Sequence, residues 1–110
     1  MTFEVRSKSG RLVRLTEMVW EKITSEHPEF KDRNDYLTEV ARTIEDPDYI
    51  VQGWTAERLA LRWCESAPRA PKYLCPVYRE LNGVGFVITA FFISRHERVL
   101  RRPVLWQKEP

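Results

Sequence analysis

The sequence predicts an α+β domain in which two N-terminal helices pack on a four-stranded antiparallel β-meander. Two stretches in the first half have the apolar spacing of amphipathic helices, whereas the second half alternates like β-strands. Asn82-Gly83 is a strong hairpin signal between two of those strands. Helices segregated from an antiparallel sheet define the α+β class. We expect residues 1–110 to form one domain, with a basic C-terminal tail from about residue 95.

The first predicted elements are a hairpin and a helix. Residues 2–15 alternate in polarity on either side of Gly10, which predicts a short N-terminal hairpin. Thr16 is a good N-cap, and a helix is expected from there to about residue 26. Pro28 ends it, because the residue before a proline disfavours the α conformation. The apolar face of this helix is predicted to comprise Leu15, Met18, Val19 and Ile23, with Trp20 at its border.

A second helix is expected after Asp32 and Asn34, either of which can cap it. Its apolar residues recur at the spacing of a single helical face, which indicates a stripe that packs in the core. The stripe consists of Tyr36, Leu37, Val40, Ala41 and Ile44. The turn residues Asp46-Pro47-Asp48 end the helix.

Four strands are expected next, over residues 49–54, 58–65, 73–81 and 85–94. Pro76 should weaken or bulge the third of them, because proline cannot donate a ladder hydrogen bond. The fourth is apolar on both faces apart from Thr89, which predicts that it is the central strand. One face of the sheet would pack on the helices, and the other would be left open and could form a site.

Composition narrows the class of protein. Apolar residues make up 43% of the chain and charged residues 31%, which suits a packed core and argues against disorder. No apolar run approaches the roughly 20 residues of a membrane span, and the charged N-terminus lacks a signal-peptide core, so we expect a cytoplasmic protein. Cys64 and Cys75 are expected to be reduced. Because the chain has no CxxC and no HExxH motif, neither a metal site nor a cofactor is expected.

Charge is distributed unevenly along the chain. Residues 1–55 carry 8 basic and 11 acidic side chains, whereas residues 56–110 carry 10 basic and 5 acidic. Four of the cations, Arg95, Arg98, Arg101 and Arg102, lie close together near the C-terminus. This asymmetry suits a polyanionic partner such as a nucleic acid, although a solvated basic tail would give the same pattern.

His27 is the first candidate for chemistry. It follows Ile23 by four residues and therefore lies on the same side of the helix, at the helix end. Histidine is the side chain best suited to proton exchange near neutral pH, and Glu29 is close enough in sequence to orient its ring or to contact a substrate. The alternative is a structural histidine whose positive form interacts favourably with the helix C-terminus.

Four further positions can contact a substrate. Thr89 is a lone hydroxyl in an apolar strand and must find a hydrogen bond or a role. Arg62, Arg79 and Arg95 lie in or directly after strands, from which a guanidinium can hold a phosphate through two hydrogen bonds. The alternatives are a locally bonded threonine and solvent-facing arginines. The aromatic residues Trp54, Trp63 and Tyr78 could stack on unpaired bases, but core packing is the default interpretation.

Absent motifs exclude several enzyme classes. The chain has no glycine-rich phosphate loop, no GxSxG motif and no dinucleotide fingerprint, which argues against nucleotide-cofactor enzymes and serine hydrolases. RNA cleavage by internal attack of the 2′-hydroxyl needs none of these motifs. It needs a base, an acid and cations around a phosphate, and the chain has candidates for each role.

Three segments together resemble the phage-associated branch of the barnase–EndoU–colicin–RelE (BECR) nuclease superfamily. Residues 20–30 contain His27-Pro28-Glu29 at their end, residues 44–50 run from a helix through proline into a strand, and residues 85–91 contain Thr89. An arginine-rich tail ending in Leu105-Trp106 follows. The resemblance covers about residues 15–106 and implies N-terminal helices followed by a four-stranded meander, metal-independent ribonuclease activity, and a site containing His27 and Thr89.

Three functions from different classes follow as hypotheses. The first is a metal-independent endoribonuclease of toxin or phage type that cleaves single-stranded RNA or tRNA, with RNA and an antitoxin or immunity protein as partners. In it His27 would be the general acid or base, Thr89 would orient the phosphate or the attacking hydroxyl, and the three arginines would hold the phosphate. The second is a catalytically inactive BECR-like module that binds nucleic acid or protein. The third is a phage-type accessory protein that assembles through a sheet edge.

Overall fold

Seven strands and three α-helices make up the described part of the chain, residues 2–31 and 35–109 of a computed structural model. The strands are β1 (Phe3–Arg6), β2 (Leu12–Leu15), β3 (Tyr49–Gln52), β4 (Glu57–Cys64), β5 (Lys72–Arg79), β6 (Gly85–Ile93) and β7 (Val104–Gln107). The helices are α1 (Glu17–Glu26), α2 (Tyr36–Glu45) and the single-turn α3 (His96–Val99), and a 3₁₀ turn spans Pro28–Lys31. None of the helices in these two ranges is long and apolar enough to cross a membrane.

The strands form one mixed sheet in the order β1-β2-β6-β5-β4-β3-β7. The α+β class and the N-terminal hairpin are confirmed, but the prediction of N-terminal helices on a four-stranded antiparallel meander is wrong. The strands β3 to β6 are antiparallel neighbours within a larger sheet, in which β2 adds in parallel to β6 and β7 adds to β3. Both additions pair segments that are far apart in the chain, and local sequence patterns do not reveal such pairings.

Helix α1 begins and ends where the sequence predicts. The Thr16 side chain accepts a hydrogen bond from the Val19 N–H at 3.3 Å, which confirms it as the N-cap, and the helix stops two residues before Pro28. The assignment of Met18 to the apolar face is wrong, because its side chain is 79% exposed. At about 100° a residue, Met18 lies about 140° around the helix from the buried Ile23.

Helix α2 packs its predicted stripe in the core. Tyr36, Val40 and Ile44 are buried, and the Tyr36 hydroxyl donates a hydrogen bond to the Ser66 carbonyl at 2.6 Å. This bond ties the start of α2 to the loop between β4 and β5. The predicted caps Asp32 and Asn34 lie outside the described residues, and the residue directly before the helix is Asp35.

The sheet has an apolar core on each face. We call the face that packs on α1 and α2 the helical face, and the opposite one the outer face. In β4, Ala60 belongs to the core on the helical face, whereas Leu61 belongs to the core on the outer face. Val99 and Leu100, in and directly after α3, pack on the outer core. The expectation of an open second face is therefore wrong for the middle of that face, which α3 and its neighbours cover.

The middle strand of the seven is β5, so the prediction that residues 85–94 form the central strand is wrong. In the described chain β2 pairs with β6 only at Gly85 and Phe86. Helix α1 packs against β6 and takes the place of a longer strand neighbour. A side chain at Gly85 would overlap the Arg79 carbonyl oxygen, which explains why glycine starts this strand.

Pro76 interrupts one ladder of β5 without ending the strand. It pairs with Ala90 of β6, but the β4–β5 ladder passes from Leu59–Val77 directly to Arg62–Leu74. Proline has no N–H to donate, so the gap confirms the prediction that Pro76 weakens the strand.

Both cysteines are free, as predicted, and both are buried. Cys64 belongs to the core on the helical face and Cys75 to the core on the outer face. Burial raises the pKa of the Cys75 thiol far above its usual range. Because the thiolate is the reactive form of cysteine, Cys75 is an inert core residue.

Candidate functional site

The backbone of His27 is held on both sides. Its N–H donates to the Ile23 carbonyl at 2.8 Å, and its own carbonyl accepts from the Phe30 N–H at 3.1 Å. The half-buried imidazole lies beside Phe30 and Phe91, with ring centroids 6.5 Å and 6.2 Å away. His27 therefore sits where the end of α1 meets β6, at a part of that strand that β2 does not reach.

The contact with Phe91 fixes the position of His27 relative to the sheet. Phe91 pairs with Cys75 of β5, and Tyr73 and Lys72 lie beyond that row, at the start of β5. At this end of the sheet α1 and β6 finish and β5 begins. We call it the His27 end.

Thr89 is brought to the neighbourhood of His27. It pairs with Val77 and precedes Phe91 by two residues, so both side chains lie on the outer face, about 7 Å apart along the strand. Thr89 is half-buried on this face.

The three predicted phosphate-binding arginines do not converge. Arg95 lies two residues after the end of β6 and is exposed at the His27 end. Arg62 pairs with Leu74 and lies on the helical face, opposite the face of Thr89. Arg79 is the last residue of β5, about 13 Å along the strand from Cys75, and its Nη2 lies 3.8 Å from Glu57 Oε2.

A cleft of about 450 Å³ opens at Pro28 and Glu29, the two residues that follow His27. The 3₁₀ turn and the β4–β5 loop supply its lining, which consists of Pro28, Glu29, Pro68, Arg69 and Lys72. Glu29 Oε1 is buried and has no hydrogen-bond partner among the described residues, so this oxygen does not orient the imidazole. The cleft thus offers two cations to an anionic group and a carboxylate oxygen to a hydrogen-bond donor.

A second histidine lies at the same end of the sheet. The His96 ring is 4.5 Å from the ring of Tyr73, between centroids. Burial, followed by the nearby Tyr49 hydroxyl and the Asp48 carboxylate, raises the pKa of Tyr73. Its hydroxyl therefore stays protonated near neutral pH and can donate a hydrogen bond.

Sequence reasoning missed Arg69, Lys72, Tyr73 and His96 as site residues. Arg69 and Lys72 lie in and after a proline-rich loop. The sequence of such a loop shows that these residues are charged but not where their side chains point. The signal that could have found them is the predicted turn between the second and third strands, because it returns the chain to the end of the sheet at which α1 also stops.

The default core interpretation of the aromatic residues holds for one of three. Tyr78 is fully buried, whereas Trp54 is 63% and Trp63 is 46% exposed. Trp63 lies on the outer face near the His27 end, since it pairs with Tyr73. Trp54 lies between β3 and β4, at the opposite end of β4.

Within the described ranges, no group of three or more His, Cys, Asp or Glu side chains could hold a metal ion, and metal independence stays a prediction.

Comparison with known proteins assigns the family. No curated protein and no solved structure matches the chain. The sequence model of one family matches residues 3–106, which include every candidate site residue described above. The chain therefore belongs to the phage-Barnase-EndoU-ColicinE5/D-RelE like nuclease 2 family.

Proposed function

We propose that the protein is a metal-independent endoribonuclease that cleaves single-stranded RNA or tRNA, with its site at the His27 end of the sheet. The observation that carries the proposal is the position of His27. Its half-buried imidazole lies against Phe91, and the two residues that follow it, Pro28 and Glu29, line the cleft that also contains Arg69 and Lys72. A nuclease family supports phosphodiester chemistry in general. RNA is chosen as the substrate because its cleavage through the 2′-hydroxyl requires only proton transfer and charge stabilisation from the protein.

The proposed reaction is internal transfer at one phosphodiester. The ribose 2′-oxygen attacks phosphorus as its proton passes to a base, and the bond from phosphorus to the 5′-oxygen breaks as an acid protonates that oxygen. The products are a 2′,3′-cyclic phosphate and a 5′-hydroxyl. His27 takes one of the two proton-transfer roles, and His96, at the same end of the sheet, takes the other.

Cations stabilise the negative charge that grows on the phosphate oxygens. Arg69 and Lys72 in the cleft and the exposed Arg95 after β6 surround the His27 end. Thr89 donates a hydrogen bond to the phosphate or holds the 2′-hydroxyl for attack. Arg79 has no such role in the proposed site, because it pairs with Glu57 at the far end of β5. Arg62 has none because it neither lines the cleft nor shares the outer face of Thr89 and Phe91.

The test is incubation of the purified protein with total bacterial RNA in the presence of EDTA. We expect the wild-type protein to produce discrete fragments and His27→Ala to produce none. Ser25→Ala is a matched control, since Ser25 is exposed on the same helix and should cut like wild type. Loss of cleavage in EDTA would contradict metal independence, and cleavage by His27→Ala at the wild-type rate would contradict the site.

A second candidate is a binding module that holds nucleic acid without cutting it. The observation that favours it is the excess of basic residues in positions 56–110, which needs no catalytic group to attract RNA. RNA binding that falls steeply with salt, survives His27→Ala and is accompanied by no cleavage would support this function instead.

A further inference from the structure

We propose that an unpaired nucleobase of the RNA binds on the outer face at the His27 end, against Trp63 and Tyr73. The inference rests on the proposed RNA substrate and assigns a base-binding site next to the proposed phosphate site. It is carried by the aromatic pair Trp63 and Tyr73 and by an adjoining cavity, neither of which the cleavage chemistry uses.

The aromatic cluster is held in place before any ligand binds. Trp63 and Tyr73 form an edge-to-face pair with centroids 5.2 Å apart, and the Trp63 Nε1–H donates to Glu65 Oε1 at 2.9 Å. Tyr49 and His96 flank Tyr73, with centroids 6.3 Å and 4.5 Å from it. Because these contacts fix the rings, a base that stacks on the 46% exposed indole loses little side-chain freedom of the protein.

A cavity of about 300 Å³ adjoins this cluster. Tyr49 and Tyr73 form its aromatic wall, and its polar lining consists of Asp48, Gln107, Lys108 and Glu109. Asp48 also accepts a hydrogen bond from the Trp63 backbone N–H at 2.9 Å, so the cavity and the indole share one support. An aromatic wall with hydrogen-bonding groups at its rim suits the flat face and polar edge of a nucleobase.

Position and charge connect this site to the proposed phosphate site. Tyr73 follows Lys72 in β5 and His96 follows Arg95, so cations that can hold the RNA backbone lie at the same end of the sheet, with Lys72 on the opposite face from Tyr73. Trp63 and Tyr73 are paired two rows beyond the row of Phe91, which contacts His27. A base on Trp63 would therefore belong to a nucleotide flanking the one that is cut.

Binding measurements in a non-cleaving His27→Ala background test the site. A short mixed-sequence RNA and an abasic ribose-phosphate chain of the same length are compared by fluorescence anisotropy. We expect Trp63→Ala to weaken RNA binding about tenfold or more and to leave binding of the abasic chain unchanged. Trp63→Phe keeps a ring and should retain most of the affinity, and it guards against misfolding of the alanine variant.

Trp54→Ala is the matched control, because Trp54 is an even more exposed tryptophan at the other end of β4. Its RNA affinity should stay within about twofold of the background protein. Equal losses in Trp63→Ala and Trp54→Ala, or equal binding of RNA and the abasic chain, would overturn the base site. Cleavage is measured separately in proteins that keep His27. If the protein cuts RNA but Trp63→Ala does not change RNA binding, the base site alone is refuted. If Trp63 is needed for RNA binding but no RNA is cut, the nuclease alone is refuted.

Discussion

The imidazole of His27 lies 6.2 Å from the ring of Phe91, between centroids, with the two ring planes 41° apart. This contact joins the end of α1 to Phe91, a strand residue 64 positions further along the chain. It also places the histidine on the part of β6 that lacks a strand neighbour on that side. Phe91 therefore helps to fix where a proton can be taken up or released.

Removing the Phe91 ring should lower the cleavage rate. We expect Phe91→Leu to reduce kcat about tenfold or more, because small displacements of a catalytic group are costly, while the leucine keeps an apolar side chain in the outer core. Phe86→Leu makes the same change at the exposed start of β6 and should leave kcat unchanged. Single-turnover kinetics on a defined RNA separates the two, and equal rates in both variants would rule out a positioning role for Phe91.

The cations of the cleft should contribute to RNA affinity through phosphate contacts. Each phosphate contact to single-stranded RNA makes the fall of log K with log salt concentration steeper by about 0.7. The double variant Arg69→Asn, Lys72→Gln removes two such contacts and should make that fall shallower by about 1.4. Asparagine suits position 69, where φ is 72°. Arg11→Gln, at the opposite end of the sheet, should leave the slope unchanged. A salt titration of RNA binding that gives one slope for all proteins would contradict the role of the cleft.

His96 should contribute to the rate of cleavage as the second proton-transfer group. We expect His96→Asn to lower kcat about 100-fold or more, because a positioned general acid or base typically contributes at least that factor. Single-turnover kinetics on a defined RNA measures the effect. Cleavage by His96→Asn at the wild-type rate would show that the second proton-transfer group lies elsewhere.

Tyr78 should make the fold less stable at high pH. Burial, and secondarily the Glu80 carboxylate, raises the pKa of Tyr78 well above its usual value, against a smaller opposing effect of Arg58. The protonated phenol is therefore favoured in the folded state. The corresponding stability is fully present below the unfolded pKa of about 10 and is lost as the pH rises from there towards the folded pKa.

Tyr78→Phe should remove this pH dependence and also stabilise the protein near neutral pH. The Tyr78 hydroxyl is buried without a hydrogen-bond partner among the described residues, so its removal should raise the free energy of unfolding by about 1 kcal/mol. Tyr36→Phe should instead cost about 1 kcal/mol, because it removes the bond to the Ser66 carbonyl. Urea titrations at pH 7 and above pH 10 measure both, and equal losses in the two variants would contradict the assignment of Tyr78.

Local signals predicted the elements well and the assembly less well. Thr16, Pro28 and Asn82-Gly83 act through contacts within a few residues, and the helix ends and the hairpin lie where they indicate. The pairing of β3 with β7 joins Ile50 to Trp106 and leaves no trace in a short sequence window. The same holds for the parallel pairing of β2 with β6, and these two pairings turn four strands into seven.

The candidate site was predictable only in part, for a related physical reason. His27 stands out because it lies on an apolar helical face directly before a proline, and Thr89 because it is a hydroxyl in an apolar strand. The position of an arginine along a strand fixes its face but not its distance from a helix end. The sequence therefore does not separate Arg62 and Arg79 from Arg95, although Arg79 lies at the far end of β5 and Arg62 on the helical face.

The most direct test of a His27-dependent ribonuclease is analysis of the ends that cleavage leaves. A defined RNA and its all-deoxy analogue are incubated in EDTA with the wild-type protein, His27→Ala and Ser25→Ala. We expect wild type and Ser25→Ala to cut only the RNA and to leave 2′,3′-cyclic phosphates, and His27→Ala to leave the RNA intact. Equal cutting of the deoxy analogue, or cyclic phosphate formation by His27→Ala at the wild-type rate, would contradict the proposed reaction and its site.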